Sequence, residues 1–196
     1  LDLVLVTTGG QSPEQEQAEL ARLGQELSQG LSDTALAPNP DAVAALQATV
    51  AEVKNPPAAQ AVPPPPAVAA EVSGKKYQLG SNILGWKTVA LGFTGAEATL
   101  TVDVDSSSLA APIGLDGVAR ITRGVRFAKP ERYADVDVAM SGHWTDATSF
   151  EVTFATIDTI DAGTLTFTFQ DTGLKVDLYE KTFLHAHLPM VGTPVP

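Results

Sequence analysis

This chain of 196 residues has no cysteine, so its three histidines are its best candidates for holding a metal. His185 and His187 are two apart, a spacing that puts both imidazoles on one face of a strand. With His143 they could bind zinc and leave a fourth position open for catalysis. Nothing in the sequence brings His143 to the pair, and threonines and acids dominate nearby. Surface or interface histidines near a frayed end are the expectation. The acid pairs Asp135/Asp137 and Asp158/Asp161 invite a glycosidase or calcium reading. Neither has the flanking ligands of a calcium loop, so solvated faces are expected. Gly-x-Ser-x-Gly is absent, and no complete catalytic constellation stands out. No cofactor is implied.

Two further groups are suited to recognition. Arg120, Arg123, Arg126, Lys129 and Arg132 gather five of the twelve basic residues into thirteen positions of an otherwise acidic chain. They make either a solvated arginine-rich loop or a docking or substrate-steering edge, because guanidinium forks pair carboxylates bidentately. Pro130 should interrupt strand structure there, giving a loop near 127–133. Trp144, in Gly142-His143-Trp144-Thr145-Asp146, stands just before a turn, and Trp86 follows Gly85. Both tryptophans are candidates for a cavity mouth; plugging a barrel end is the other role open to them.

The elements that carry these residues follow from composition and patterning. Hydrophobic residues make up 44% of the chain and charged ones 18%, values that exclude wholesale disorder. A net charge of −11 argues against nucleic acid and anionic membrane surfaces, both of which need clustered cations. No apolar run approaches the roughly 18 residues of a helical membrane span. Residues 55–68, NPPAAQAVPPPPAV, hold six of the fourteen prolines and no charge. Neither a helix interior nor a central strand runs through such a segment. Four consecutive prolines favour a stiff polyproline II spacer or strap, rising about 3.1 Å per residue. The chain thus divides into 1–54, a Pro/Ala-rich linker at 55–71, a β-domain at 72–188 and a tail at 189–196.

In the first part, LDLVLVTT closed by Gly9-Gly10 reads as a strand covered on both faces. Its abrupt start suggests a C-terminal fragment of a longer protein. Ser12-Pro13-Glu14-Gln15 supplies an N-cap, a proline at the first helical position and a capping-box glutamine. Leu20, Leu23, Leu27 and Leu31 then form an apolar stripe on a helix ending near Gly30. A second helix opens at Asn39-Pro40-Asp41, carries Val43, Leu46, Val50 and Val53, and stops at Asn55-Pro56. Both stripes are expected to pack in a core, yet one strand and two helices cannot bury them among themselves. Another sheet must supply the opposing surface.

LDLVLVTTGG followed by an acidic, Leu-striped helix resembles the end of a β-lactamase-type serine hydrolase, the class C β-lactamase and penicillin-binding-protein-like group. In that family a strand of this kind lies beside the active-site strand, and a long C-terminal helix covers the sheet. Members often add a Pro-rich linker and a β-rich extension. The resemblance implies a parent that acts by acyl-serine chemistry on an ester, amide, β-lactam or D-amino-acid peptide, in the periplasm or outside the cell. The family's Ser-x-x-Lys, Tyr-x-Asn or Ser-x-Asn, and Lys-Thr-Gly or His-x-Gly would all lie upstream. Ser73-Gly74-Lys75-Lys76 matches Ser-x-x-Lys literally but leads into a strand-like segment instead of opening a buried helix. Lys87-Thr88-Val89 and Lys181-Thr182-Phe183 lack the glycine of the third motif. No catalytic residue is therefore assigned. The partner implied is the catalytic part of the same hydrolase, with a homo-oligomer as a further option, and the basic group at 120–132 would face that acidic part.

Beyond residue 72 the period becomes two. Leu100, Val102 and Val104 alternate with polar residues, as do Phe150, Val152 and Phe154, then Leu165, Phe167 and Phe169, then Leu174, Val176 and Leu178. With segments at 76–79, 87–93, 118–122, 134–144 and 182–188, this gives eight or nine strands separated by turn residues. The fold class expected is mixed: a strand and two helices, then an all-β antiparallel barrel or sandwich, lipocalin-like, its interior filled by phenylalanines. The functional expectation is a non-catalytic C-terminal segment whose β-domain supports stability, cleft shape or dimerisation. The alternative is a lipocalin-like module for a small apolar ligand.

Overall fold

The computed structural model of the chain describes residues 4, 6, 13–32, 34–35, 37–55, 57–131, 134–157, 159–182 and 184–196. It forms two compact units, Gln11–Pro57 and a second containing Ala58–Pro196. The strand expected at 1–8 lies outside the described residues except for Val4 and Val6, which are exposed. Ser12 and the side chain of Gln15, the expected cap, lie outside them as well.

The first unit holds two helices where the periodicity puts them. α1 spans Pro13–Gln29, and Gly30 N–H closes its end on the Leu27 carbonyl at 3.0 Å. α2 spans Pro40–Lys54; Asn39 caps it by accepting the Ala42 N–H at 3.0 Å, with proline at the first position. Their stripes are not core. Leu20 and Leu23 are half-buried, Leu27 and Leu31 are exposed, and α2 has no buried residue at all.

The second unit is a barrel. Its strands are β1 (Lys76–Leu79), β2 (Trp86–Thr94), β3 (Glu97–Val104), β4 (Ser107–Gly114), β5 (Arg120–Val125), β6 (Val136–Trp144), β7 (Ser149–Thr156), β8 (Ala162–Gln170), β9 (Gly173–Glu180) and β10 (Ala186–Pro194). Neighbours in sequence pair antiparallel from β1 to β4 and from β5 to β10, and β10 returns to pair with β1 through Tyr77↔Pro194. A parallel bridge, Gly114↔Ser141, joins β4 to β6 and closes nine strands into a mixed barrel. β5 pairs with β6 alone and stands outside the closed ring. The alternation seen in sequence is the burial pattern: Leu100, Val102, Val138, Phe150, Leu165 and Phe167 point inward with no exposed surface. Each such side chain contributes about 1.5–3 kcal/mol of transfer free energy, and together they fill the interior as expected.

Three segments differ from the sequence reading. β4 falls where no strand is expected from the sequence; Pro112 within it is tolerated because β4 has a partner on one side there, β3. Across the end of the expected linker and the first residue of the expected β-domain, Ala67–Val72 forms a short helix, α3, following Pro66, whose φ of −65° leads into it. Its Ala69 and Val72 are buried on the barrel. Finally, β10 runs to Pro194, so residues expected as a tail belong to the sheet. Pro189 sits where β10 has a single neighbour, because β1 reaches only Gly192–Pro194.

Candidate functional site

The proline segment is a strap laid over one end of the barrel. Gln60 N–H donates to the Asp116 carbonyl at 2.9 Å. The Asp116-Gly117 turn is itself held by its carboxylate, which accepts from Val118 N–H at 3.1 Å and from both terminal nitrogens of Arg120 at 3.1 and 2.9 Å. Arg120 Nε reaches Glu97 at 2.7 Å on the neighbouring hairpin. The Arg120 guanidinium beside Asp116 holds its carboxyl below the usual carboxylate range, and the same partners raise the pKa of Arg120. Past the strap, α3 is clipped to β2: Phe93 N–H donates to Ser73 Oγ at 3.0 Å, and Gly74 N–H to the Leu91 carbonyl at 2.8 Å.

Beneath the strap lies an aromatic shelf. Phe93 and Trp144 have ring centroids 5.0 Å apart, and each packs on Phe150, at 5.0 and 5.2 Å. Trp144 also meets Phe169 at 6.0 Å. Between shelf and strap is a cavity of about 220 Å³, lined by Val62–Pro65, Phe93, Thr94, Gly95, Leu115, Gly142, His143 and Trp144. Trp144 Nε1 is closed off from solvent and has no hydrogen-bond partner among the described residues.

Of the two tryptophans, Trp144 therefore lines a cavity and Trp86 takes the plugging role. Trp86 is buried at the far end of β2, edge-on to Phe127 at 5.6 Å, and its Nε1–H donates to the Phe127 carbonyl at 2.8 Å. The loop carrying Phe127 is tied in by Lys129 N–H to the Leu84 carbonyl at 2.7 Å.

The side chains of the basic group have different partners. Arg120 is engaged internally, as described. Arg123 is exposed and paired with Asp137 at 2.6 Å, and Arg126 reaches Glu131 and the Lys129 carbonyl, both at 3.2 Å. The Lys129 side chain is exposed, and Arg132 lies outside the described residues. Ser73 and Lys76 are each turned to structural partners, since Lys76 Nζ donates to Asp103 at 3.2 Å. His187 bonds Asp177 at 2.5 Å and stacks on Tyr179, His143 faces Glu151 across β6 and β7, and His185 precedes β10 with a φ of +46°. Among the described residues no group of three or more His, Asp or Glu could hold a metal ion. Asp135 has a φ of +59° in a turn and Asp161 accepts from Thr159 at 2.8 Å; Asp158 lies outside the described residues.

Sequence reasoning passed over the Glu97–Arg120–Asp116 tie. The signal available was local: Asp116-Gly117 four residues ahead of an arginine. Compared with known proteins, the chain matches no family model, no curated protein and no solved structure at the significance required.

Proposed function

We propose that this chain is the non-catalytic C-terminal segment of a β-lactamase-type serine hydrolase, a barrel and helices that dock on the catalytic part and stabilise it. The parent acts on an ester, amide, β-lactam or D-amino-acid peptide through an acyl-serine. The observation that carries this reading is α2: a well-capped helix whose apolar stripe, Val43, Leu46, Val50 and Val53, is exposed along its length. A helix of 15 residues with nothing buried gains little from packing and is marginal alone. Covering that stripe with the sheet of a catalytic part gives it the missing stabilisation.

The test has two arms. The purified chain should hydrolyse neither p-nitrophenyl acetate nor nitrocefin above the rate in buffer. Mixed with the catalytic part, it should form a complex that Leu46→Asp and Val50→Asp weaken at least tenfold. Turnover by the chain alone would overturn the reading, as would a complex indifferent to both substitutions.

A further inference from the structure

At the end of the barrel opposite the strap, three loops follow one another around the ring: 80–85 between β1 and β2, 181–185 between β9 and β10, and 157–161 between β7 and β8. They converge. Thr182 Oγ1 donates to the Ile160 carbonyl at 2.9 Å and accepts from Ala162 N–H at 3.0 Å, and Leu84, Asp161 and Glu180 line one small void with Phe127. Each loop carries aliphatic side chains out into water: Ile83 on the first, Leu184 on the second, Ile157 and Ile160 on the third, all between 46% and 55% exposed. Of the seven exposed large hydrophobic residues described between 76 and 196, these are four; the others are dispersed, on β5, on β10 and beyond it. A lone exposed aliphatic is ordinary, but a cluster on adjoining loops marks a contact surface.

Buried polar groups hold these loops in shape. Asn82 accepts the Trp86 N–H at 3.1 Å and donates to the Gly80 and Trp86 carbonyls at 2.8 and 2.7 Å. Glu180 accepts the N–H groups of Thr182 and Leu184 at 2.7 and 2.5 Å. The Asp161 carbonyl accepts from Thr156 N–H and Oγ1 at 2.9 and 3.1 Å, and its carboxylate from Thr159 at 2.8 Å. Thr156, Asp161, Glu180 and Thr182 are all buried. Burying them carries a desolvation cost that these hydrogen bonds offset. The result is a braced set of tips with little left to order on contact.

Charge and area select what meets them. Lys181 is the exposed ionic side chain described on these loops, with His185 beside Leu184; Asp161 is buried and Asp158 lies outside the described residues. The adjoining loop sets Arg126 and Lys129 against Glu131 and Asp135, so among the described residues this end is near neutral in a chain of net charge −11. Four half-exposed aliphatics offer roughly a few hundred Å² of apolar surface, against about 800 Å² per partner in a stable protein–protein interface. A second copy meeting this end would be held by too little area. Acyl chains close around protruding side chains without a shaped pocket, and the apolar area buried sets the strength of binding. We infer that this end of the barrel docks reversibly on a zwitterionic lipid surface. The four aliphatic side chains enter the boundary between headgroups and acyl chains, and Lys181 stays at headgroup level.

Lipid docking here is independent of the accessory role, and its test needs no catalytic part. The chain has no cysteine, so a single introduced one can carry a nitrobenzoxadiazole fluorophore. Ser81→Cys is exposed and keeps all four aliphatics; Ala147→Cys lies in the exposed turn after β6, at the opposite end. On titration with phosphatidylcholine vesicles, emission at residue 81 should shift to the blue and saturate, while emission at residue 147 stays. Ile83→Asp combined with Leu184→Asp, both at exposed positions, should weaken binding at least tenfold and leave the circular dichroism spectrum unchanged. Cosedimentation of the unlabelled chain with the same vesicles should show the same loss. No blue shift at residue 81, an equal one at residue 147, or undiminished binding by the folded double variant would overturn the inference. So would a shift at residue 81 that grows with protein concentration in the absence of lipid, since the surface would then be a contact between copies.

Discussion

At the scale of single residues, Asp116 and Arg120 join three things: the turn between β4 and β5, the hairpin bearing Glu97, and the strap. The Asp116 carboxyl is held below its ordinary range chiefly by hydrogen bonds from Arg120, then by Val118 N–H. A carboxyl whose folded-state pKa is depressed adds stability that is complete above its unfolded value, near 3.9, and is lost as pH falls through the lower folded value. Asp103, bonded first to Thr88, and Asp146, bonded first to Thr148 N–H, are shifted the same way. The melting temperature should therefore be nearly flat from about pH 7 to about pH 5 and drop below about pH 4. Asp116→Asn should lower it at neutral pH and make the acid drop shallower, as followed by circular dichroism. An acid limb as steep as that of the parent chain would show that Asp116 does not carry this tie.

At the scale of elements, barrel closure rests on the end of β4. A Cβ placed on Gly114 would overlap the Val118 carbonyl oxygen, so the chain's sharp return toward β5 admits no side chain there. Gly114→Ala should cost about 3 kcal/mol or more, as overpacking against backbone does, read as a lowered urea midpoint with the native fold retained. The same element marks where the sequence stops being informative. β3, β7, β8 and β9 declare themselves by strict alternation, and α2 by its cap, proline and stripe. β4 hides because serines open it, alanines stand at its inward and outward positions, and a proline sits inside it; its strand character comes from β3 beside it. α3 hides for a related reason. Six residues after a proline run have too short a period to read, and Ala69 and Val72 become helical core only because the barrel is underneath. The cavity was half legible: Trp144 before a turn suggests a mouth, but the wall opposite it comes from residues some eighty positions earlier, a pairing no local pattern carries.

At the scale of the whole molecule, the two units have opposite sources of order. The barrel has a continuous buried core and a nearly complete ladder of strand pairs, so its amides should open only near global unfolding. α2 has a cap, both helices have few or no buried side chains among the described residues, and free helices of 15 or 17 residues are marginal in water. Hydrogen exchange followed by mass spectrometry on the chain alone should thus separate two populations. Peptides from β2, β3 and β6 to β9 should stay protected for hours, while those from Pro13–Gln29 and Pro40–Lys54 exchange within seconds. Adding the catalytic part of the hydrolase should slow exchange in α2 at least tenfold and leave the barrel strands unchanged, since their burial is already complete. Helices protected as strongly as the barrel in the isolated chain would mean that their stripes are already covered. The accessory reading would then lose the observation on which it stands.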